Sequence, residues 1–172
     1  DDNLRASVQK LDLKPDGSAE AQEHNTYTGE FEATIRGFWR SVAPGIRSHM
    51  MQQYLQRRCA GAVCTGFSLG DLDDLSKQLT MDVSYRVPML ATRTRDLYIV
   101  SPPALARDFS DASLPARKFA IDRQTTMEQR TTLTVACPQG YQLVGPPEPI
   151  AIHGKHLWYE GSVAASPDGK TL

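Results

Sequence analysis

The clearest pattern along the chain lies at residues 79–87, where Leu79, Met81, Val83, Tyr85 and Val87 alternate with polar residues. That period of two marks a strand with one buried face and one wet face. From Gly29 the period is different. Phe31, Ile35, Phe38, Trp39 and Val42 recur at helical intervals and form one apolar stripe, with Thr28 placed to cap the start. Ala43-Pro44-Gly45 should break this helix, because the residue before a proline is pushed out of the helical region and glycine adds freedom. In the helix expected next, Ile46, Met50, Tyr54 and Leu55 make the apolar face, and Arg47, Gln52, Gln53, Gln56 and Arg57 turn outward. The small residues of CAGAVC, 59–64, end it. Two helices joined by so short a break form a helical hairpin over about 29–58.

The remainder reads as strands. Residues 4–8 and 11–13 have strand character, and Pro15-Asp16-Gly17 is a turn signal before a second extended stretch at 18–27, so the chain opens with a hairpin. Residues 97–100 make a short apolar strand, and the stretch at 102–117, rich in Pro, Ser and Ala, reads as an irregular surface connection. After it, 118–121, 131–137, 141–144, 150–153 and 157–159 are expected as successive strands of a meander. The fold class that follows is α+β and β-rich, an antiparallel β-sandwich or two packed sheets with the helical hairpin on one side. The connection divides the chain into a β-rich domain with the hairpin, 1–117, and a smaller antiparallel β domain, 118–172. The turn SPDG at 166–169 is followed only by Lys170-Thr171-Leu172, so the expectation is that the last strand is incomplete.

Composition narrows the partners. A domain of 172 residues can bury about 70% of its unfolded surface. With 19 basic and 20 acidic side chains the net charge is only -1, so nucleic acid and anionic membranes are not expected partners. No stretch approaches the roughly 20 apolar residues that cross a bilayer, and DDNLRASVQK at the start has neither the basic nor the apolar part of a signal peptide. Membrane insertion is not expected.

Candidate chemistry is sparse. Of the three cysteines, Cys59 and Cys64 are close enough in sequence for a local disulfide across a helix end, while Cys137 reads as a small buried hydrophobe. GFSLG, residues 66–70, fits the G-x-S-x-G pattern of a nucleophile elbow, with Ser68 as nucleophile and His153 or His156 downstream. An elbow needs a buried strand before the serine, a helix after it and alternating βα units. The flanking residues favour a Gly/Ser loop. Asp71, Asp73 and Asp74 lack the further oxygen donors of a calcium loop and suit the first turn of a short helix at 72–79, where acidic side chains complement the dipole. His153 and His156 flank a turn. Trp158 and Tyr159 point to opposite faces of a strand, so one is exposed and available for a surface contact. Arg36 lies beside the apolar stripe and is expected to pair with a carboxylate of the sheet. No cofactor is implied.

With these elements in place the chain resembles the module that follows the catalytic core in bacterial transglutaminase-like proteins carrying domains of unknown function 3857 and 3858. The residues that carry this are PDGS at 15–18 between two strands, Gly29 opening a helix with Arg36 in its middle, the alternating strand at 79–87, ACPQGYQLVGPPEPI at 136–150, and LWYEGSVAASPDGKTL after it. The resemblance spans nearly the whole chain. It implies an exported, periplasmic or extracellular protein whose papain-like Cys-His-Asp core lies outside this segment. The expected function is then a non-catalytic accessory module, with the catalytic core of the same polypeptide as partner and an extracellular polymer or protein as a further one. The alternatives are a stand-alone ligand-binding or adhesion β-sandwich using Trp158, Tyr159 and the 102–117 connection, and, more remotely, a serine hydrolase using Ser68.

Overall fold

The computed structural model describes residues 3–103, 125–142, 144, 148–155, 157–167 and 170–171. The first hairpin forms from β1 (Leu4–Leu13) and β2 (Ala19–Tyr27). Its turn is held by the Asp16 carboxylate, which accepts from the Ser18 amide at 2.9 Å and hydroxyl at 2.6 Å. Gly17 has a φ of +84° and a Cβ there would sit 2.6 Å from the carbonyl oxygen of Ala91, so only glycine fits. Its own carbonyl accepts the amides of Leu90 and Ala91. The PDGS signal therefore anchors a second turn as well as making its own.

Helices α1 (Gly29–Ser41) and α2 (Arg47–Arg58) follow, joined by a 3₁₀ turn at Pro44–Ile46. The chain then returns to the sheet as β3 (Val63–Leu69) and β4 (Leu79–Val87). β5 (Ala91–Thr94) and β6 (Leu97–Val100) pair as a two-stranded sheet, as do β8 (Ile150–His153) and β9 (Trp158–Gly161). β7 (Glu128–Ala136) completes a five-stranded sheet in the order β3-β4-β2-β1-β7. Among the described residues the architecture is a β-rich α+β fold with two α-helices and several sheets.

One face of the main sheet carries the core. Ser7, Gln9, Leu11 and Leu13 on β1 are buried, as are Ala19 to Tyr27 on β2 and Leu79 to Val87 on β4 at every second position. Trp39 and Val42 of the α1 arm and Met51 and Leu55 of α2 close over them, and Trp39 packs on Phe67 of β3 with ring centroids 5.0 Å apart.

Several sequence expectations are corrected. Met51 faces the core and Ile46 faces water, because the 3₁₀ turn rotates the start of α2 away from a continuous helical register. The Thr28 hydroxyl accepts from the Leu4 amide at 3.0 Å, which ties α1 to β1, and makes no side-chain cap bond. Residues 66–69 are part of an edge strand, β3, and not a loop. No helix forms at 72–79. The Asp71 carboxylate takes the amides of Asp73 and Asp74, and that of Asp74 takes the amide and hydroxyl of Ser76, local bonds that compete with helix formation. β7 is no part of a meander: it lies parallel to β1, from Leu4 opposite Glu128 to Asp12 opposite Ala136. Tyr141, Gln142 and Val144 are not in a strand. The strand expected at 118–121 lies outside the described residues.

Candidate functional site

A tract of polar side chains interrupts the buried face of the main sheet. Ser7 and Gln9 on β1 stand opposite Asn25 and Glu23 on β2. Inward-facing positions of β2 alternate Ala19, Ala21, Glu23, Asn25 and Tyr27, so Glu23 and Asn25 occupy core positions simply by parity. Arg58, at the C-terminal end of α2, reaches down to the Glu23 carboxylate at 3.2 and 3.4 Å. Gln9 donates to the same carboxylate at 3.2 Å and also to the Tyr85 hydroxyl. The guanidinium also lies over the Tyr54 ring, 5.4 Å from its centroid. Burial opposes the charge on Arg58, but the Glu23 carboxylate, with Tyr54 and Tyr85 nearby, more than offsets that and raises its pKa. Burial likewise raises Tyr85, with the Glu23 charge adding to it, and pushes Tyr27 up to about 12. Chemically this is a clamp between helix and sheet. Glu23 already holds an arginine and an amide, so it is not placed to take protons from a substrate.

A cleft of about 370 Å³ opens between α2 and β3, lined by Ser48, His49, Gln52, Cys64, Thr65, Gly66 and Phe67. Gln52 builds its floor: it donates to the Ala62 carbonyl at 2.7 Å and accepts the Cys64 amide at 2.6 Å. Beside it the pairing of β3 with β4 shifts by one residue between Cys64 and Gly66. A thiol and an imidazole thus share one opening, yet neither is set for nucleophilic work. The Gln53 amide nitrogen lies 2.9 Å from His49 Nε2, which places an acceptor lone pair there. The Cys64 thiol donates to the Gly66 carbonyl at 3.5 Å, and burial pushes its pKa up, away from the thiolate. Burial also raises Cys59 and Cys137, and all three cysteines are free thiols, so the Cys59–Cys64 bridge that the spacing allows is not formed.

On the open face of the sheet, Ser68 of β3, Asp82 of β4 and His24 of β2 stand in one cross-strand row. His24 Nδ1 is 2.6 Å from Asp82 Oδ1. The order puts the carboxylate between serine and histidine, whereas a serine nucleophile needs the imidazole in the middle. Ser68 is also mid-strand, with no strand-to-helix corner after it. His153 lies 3.3 Å from Glu160 across the β8–β9 pair, and His156 is outside the described residues. Arg36 does not reach the sheet. It is buried and binds Glu32 one turn earlier on α1 at 2.8 Å and the carbonyls of Asp71 and Lys77 at 2.6 and 2.5 Å, fastening the acidic loop.

The β8–β9 hairpin carries the exposed aromatics. Tyr159 faces the same side as Ile150 and Ile152, with which its strand pairs, while Trp158 faces the other side beside His153. Trp158 is 55% and Tyr159 37% exposed, and Ile150, Ile152, Leu157 and Val163 are exposed as well. The isoleucines went unremarked in the sequence, although their alternation in Ile150-Ala151-Ile152 is the signal that an apolar face exists there. Among the described residues there is no group of three His, Cys, Asp or Glu side chains able to hold a metal, and no helix long and apolar enough to cross a membrane. No protein-family model, no curated protein and no solved structure matches the chain.

Proposed function

We propose that the chain is a non-catalytic interaction module, the accessory β module of an exported transglutaminase-like protein, and that it works by packing on the papain-fold core of that protein through the β8–β9 hairpin. The observation that supports this is the apolar face formed by Ile150, Ile152 and Tyr159, all exposed on a two-stranded sheet. Two strands alone are marginal in water, and a hairpin gains stability when such a face is covered. Ile150 and Ile152 are already about half buried, so covering what remains of each contributes about 1 kcal/mol. Tyr159, on the same side as the two isoleucines, supplies a large aromatic anchor of the kind that dominates interfaces.

The test is association. The chain is co-expressed with the catalytic core encoded beside it, and binding is measured for the wild type and for Ile152→Glu. A complex weakened by Ile152→Glu supports the reading. Equal recovery with and without the substitution, or no complex, removes it and leaves the stand-alone binding sandwich.

A further inference from the structure

Three buried polar atoms of the main sheet meet no hydrogen-bond partner among the described residues: Gln9 Oε1 and both ends of the Asn25 amide, Oδ1 and Nδ2. Gln9 and Asn25 are each 0% exposed, and folded proteins leave very few such groups unsatisfied. Turning the Gln9 amide round does not cure this. Its nitrogen donates to the Glu23 carboxylate and to the Tyr85 hydroxyl, and an oxygen in that place would face the carboxylate as a second acceptor.

The two side chains lie together. Gln9 stands opposite Glu23 and Ser7 opposite Asn25, so Gln9 and Asn25 are diagonal neighbours on one face, about 7–8 Å apart along the backbone and closer between side chains. On the β4 side of Asn25 is Met81, whose thioether is only a weak acceptor. On the β1 side the row continues through Ser7 to Thr131 of β7. Exposure rises along it, from 0% at Asn25 to 8% at Ser7 and to a fully exposed Thr131. The covered face is therefore open at its β7 end, and hydroxyl side chains line the way in.

The chemistry of the three atoms selects what they hold. Two oxygens need donors and Nδ2 needs an acceptor. A cation would serve the oxygens alone, and an anion would serve the nitrogen alone while lying beside the Glu23 carboxylate. A small neutral group that both donates and accepts serves all three. We infer that Asn25, Gln9 and Ser7 form an internal hydration site, whose ordered water donates to Gln9 Oε1 and Asn25 Oδ1 and accepts from Asn25 Nδ2. This water carries the Glu23–Arg58 clamp onward through Gln9 to Ser7, so that one polar network runs under the helix from α2 to β1. The inference is independent of the accessory-module reading, since it uses no residue of the β8–β9 hairpin.

The experiment is water-selective NMR on the isotope-labelled full chain, together with an X-ray structure at a resolution that shows ordered solvent. Expected are cross-peaks from water to the Asn25 side-chain amide protons, with the opposite NOE and ROE signs that mark long-lived water. They should persist in Ser7→Ala, which removes the hydroxyl beside Asn25 that could relay the signal by proton exchange. The crystal should show solvent about 2.7–3.2 Å from Asn25 Oδ1, Asn25 Nδ2 and Gln9 Oε1. A wild type without these cross-peaks, a signal lost in Ser7→Ala, or a crystal structure in which the two amides meet protein groups with no solvent between them overturns the inference.

Discussion

Arg58→Met is the perturbation that bears most directly on why helix and sheet hold together. The wild-type pair buries Glu23 to 3% and Arg58 to 22% side-chain exposure, with contacts of 3.2 and 3.4 Å. Methionine keeps most of the arginine stem in place and removes its charge, leaving the carboxylate buried with Gln9 as its remaining donor. Removing one partner of a buried pair costs about 3–5 kcal/mol. The reverse change, Glu23→Gln, should cost less, about 1–3 kcal/mol, because the Arg58 head is partly exposed and can turn toward water. The double variant carries no unpaired charge and should return to within about 1 kcal/mol of the wild type. The cycle therefore carries a coupling of at least about 2 kcal/mol. Urea unfolding of the four proteins measures it, with unchanged slopes showing that the unfolded states are comparable; Arg58→Met alone should lower the melting temperature by about 10 °C. Single-variant losses that add within about 0.5 kcal/mol would refute the clamp.

Arg36→Lys should destabilise by about 2–3 kcal/mol, since an ammonium cannot satisfy Glu32 and two carbonyls with one planar fork. Faster amide exchange in residues 71–77 is its local signature, and unchanged exchange would show that the loop stands without the arginine. Tyr27 and Tyr85 have folded pKa values raised by burial, Tyr27 to about 12. Their contribution is therefore complete below the unfolded tyrosine value of about 10 and is lost as pH rises toward the folded values. Alkaline titration should show these two phenols ionising late and together with unfolding. A tyrosinate signal complete near pH 10 with the fold intact would contradict their burial.

The strands of the main sheet were legible where the alternation was clean. Residues 79–87 match β4 at both ends, and the PDGS turn lies where β1 meets β2. The helical hairpin was legible from its stripe and its proline break. β3 was not, because Gly66, Ser68 and Cys64 give an edge strand no apolar period, and such residues are as common in loops. The acidic stretch misled for a related reason: aspartate suits a helix start, but here its carboxylates close turns on themselves. Parallel pairing of β7 with β1 depends on a contact across more than a hundred residues, and nothing local encodes its direction. Of the candidate site, Trp158 and Tyr159 were visible and lie on opposite faces as alternation requires. The Glu23–Arg58 clamp and the His49–Cys64 cleft were not, because each joins a helix to a strand that sequence spacing does not relate.

The proposed role of the hairpin is tested most directly by titrating the isotope-labelled chain with a transglutaminase-like catalytic core, the partner that the proposal names, and following backbone amide shifts. Expected are changes concentrated at Ile150, Ile152, Tyr159 and Gly161, abolished by Ile152→Glu. Shifts that leave the hairpin untouched and gather instead around His24 and Asp82 on the open sheet face, or no shifts with the core in large excess, would contradict it.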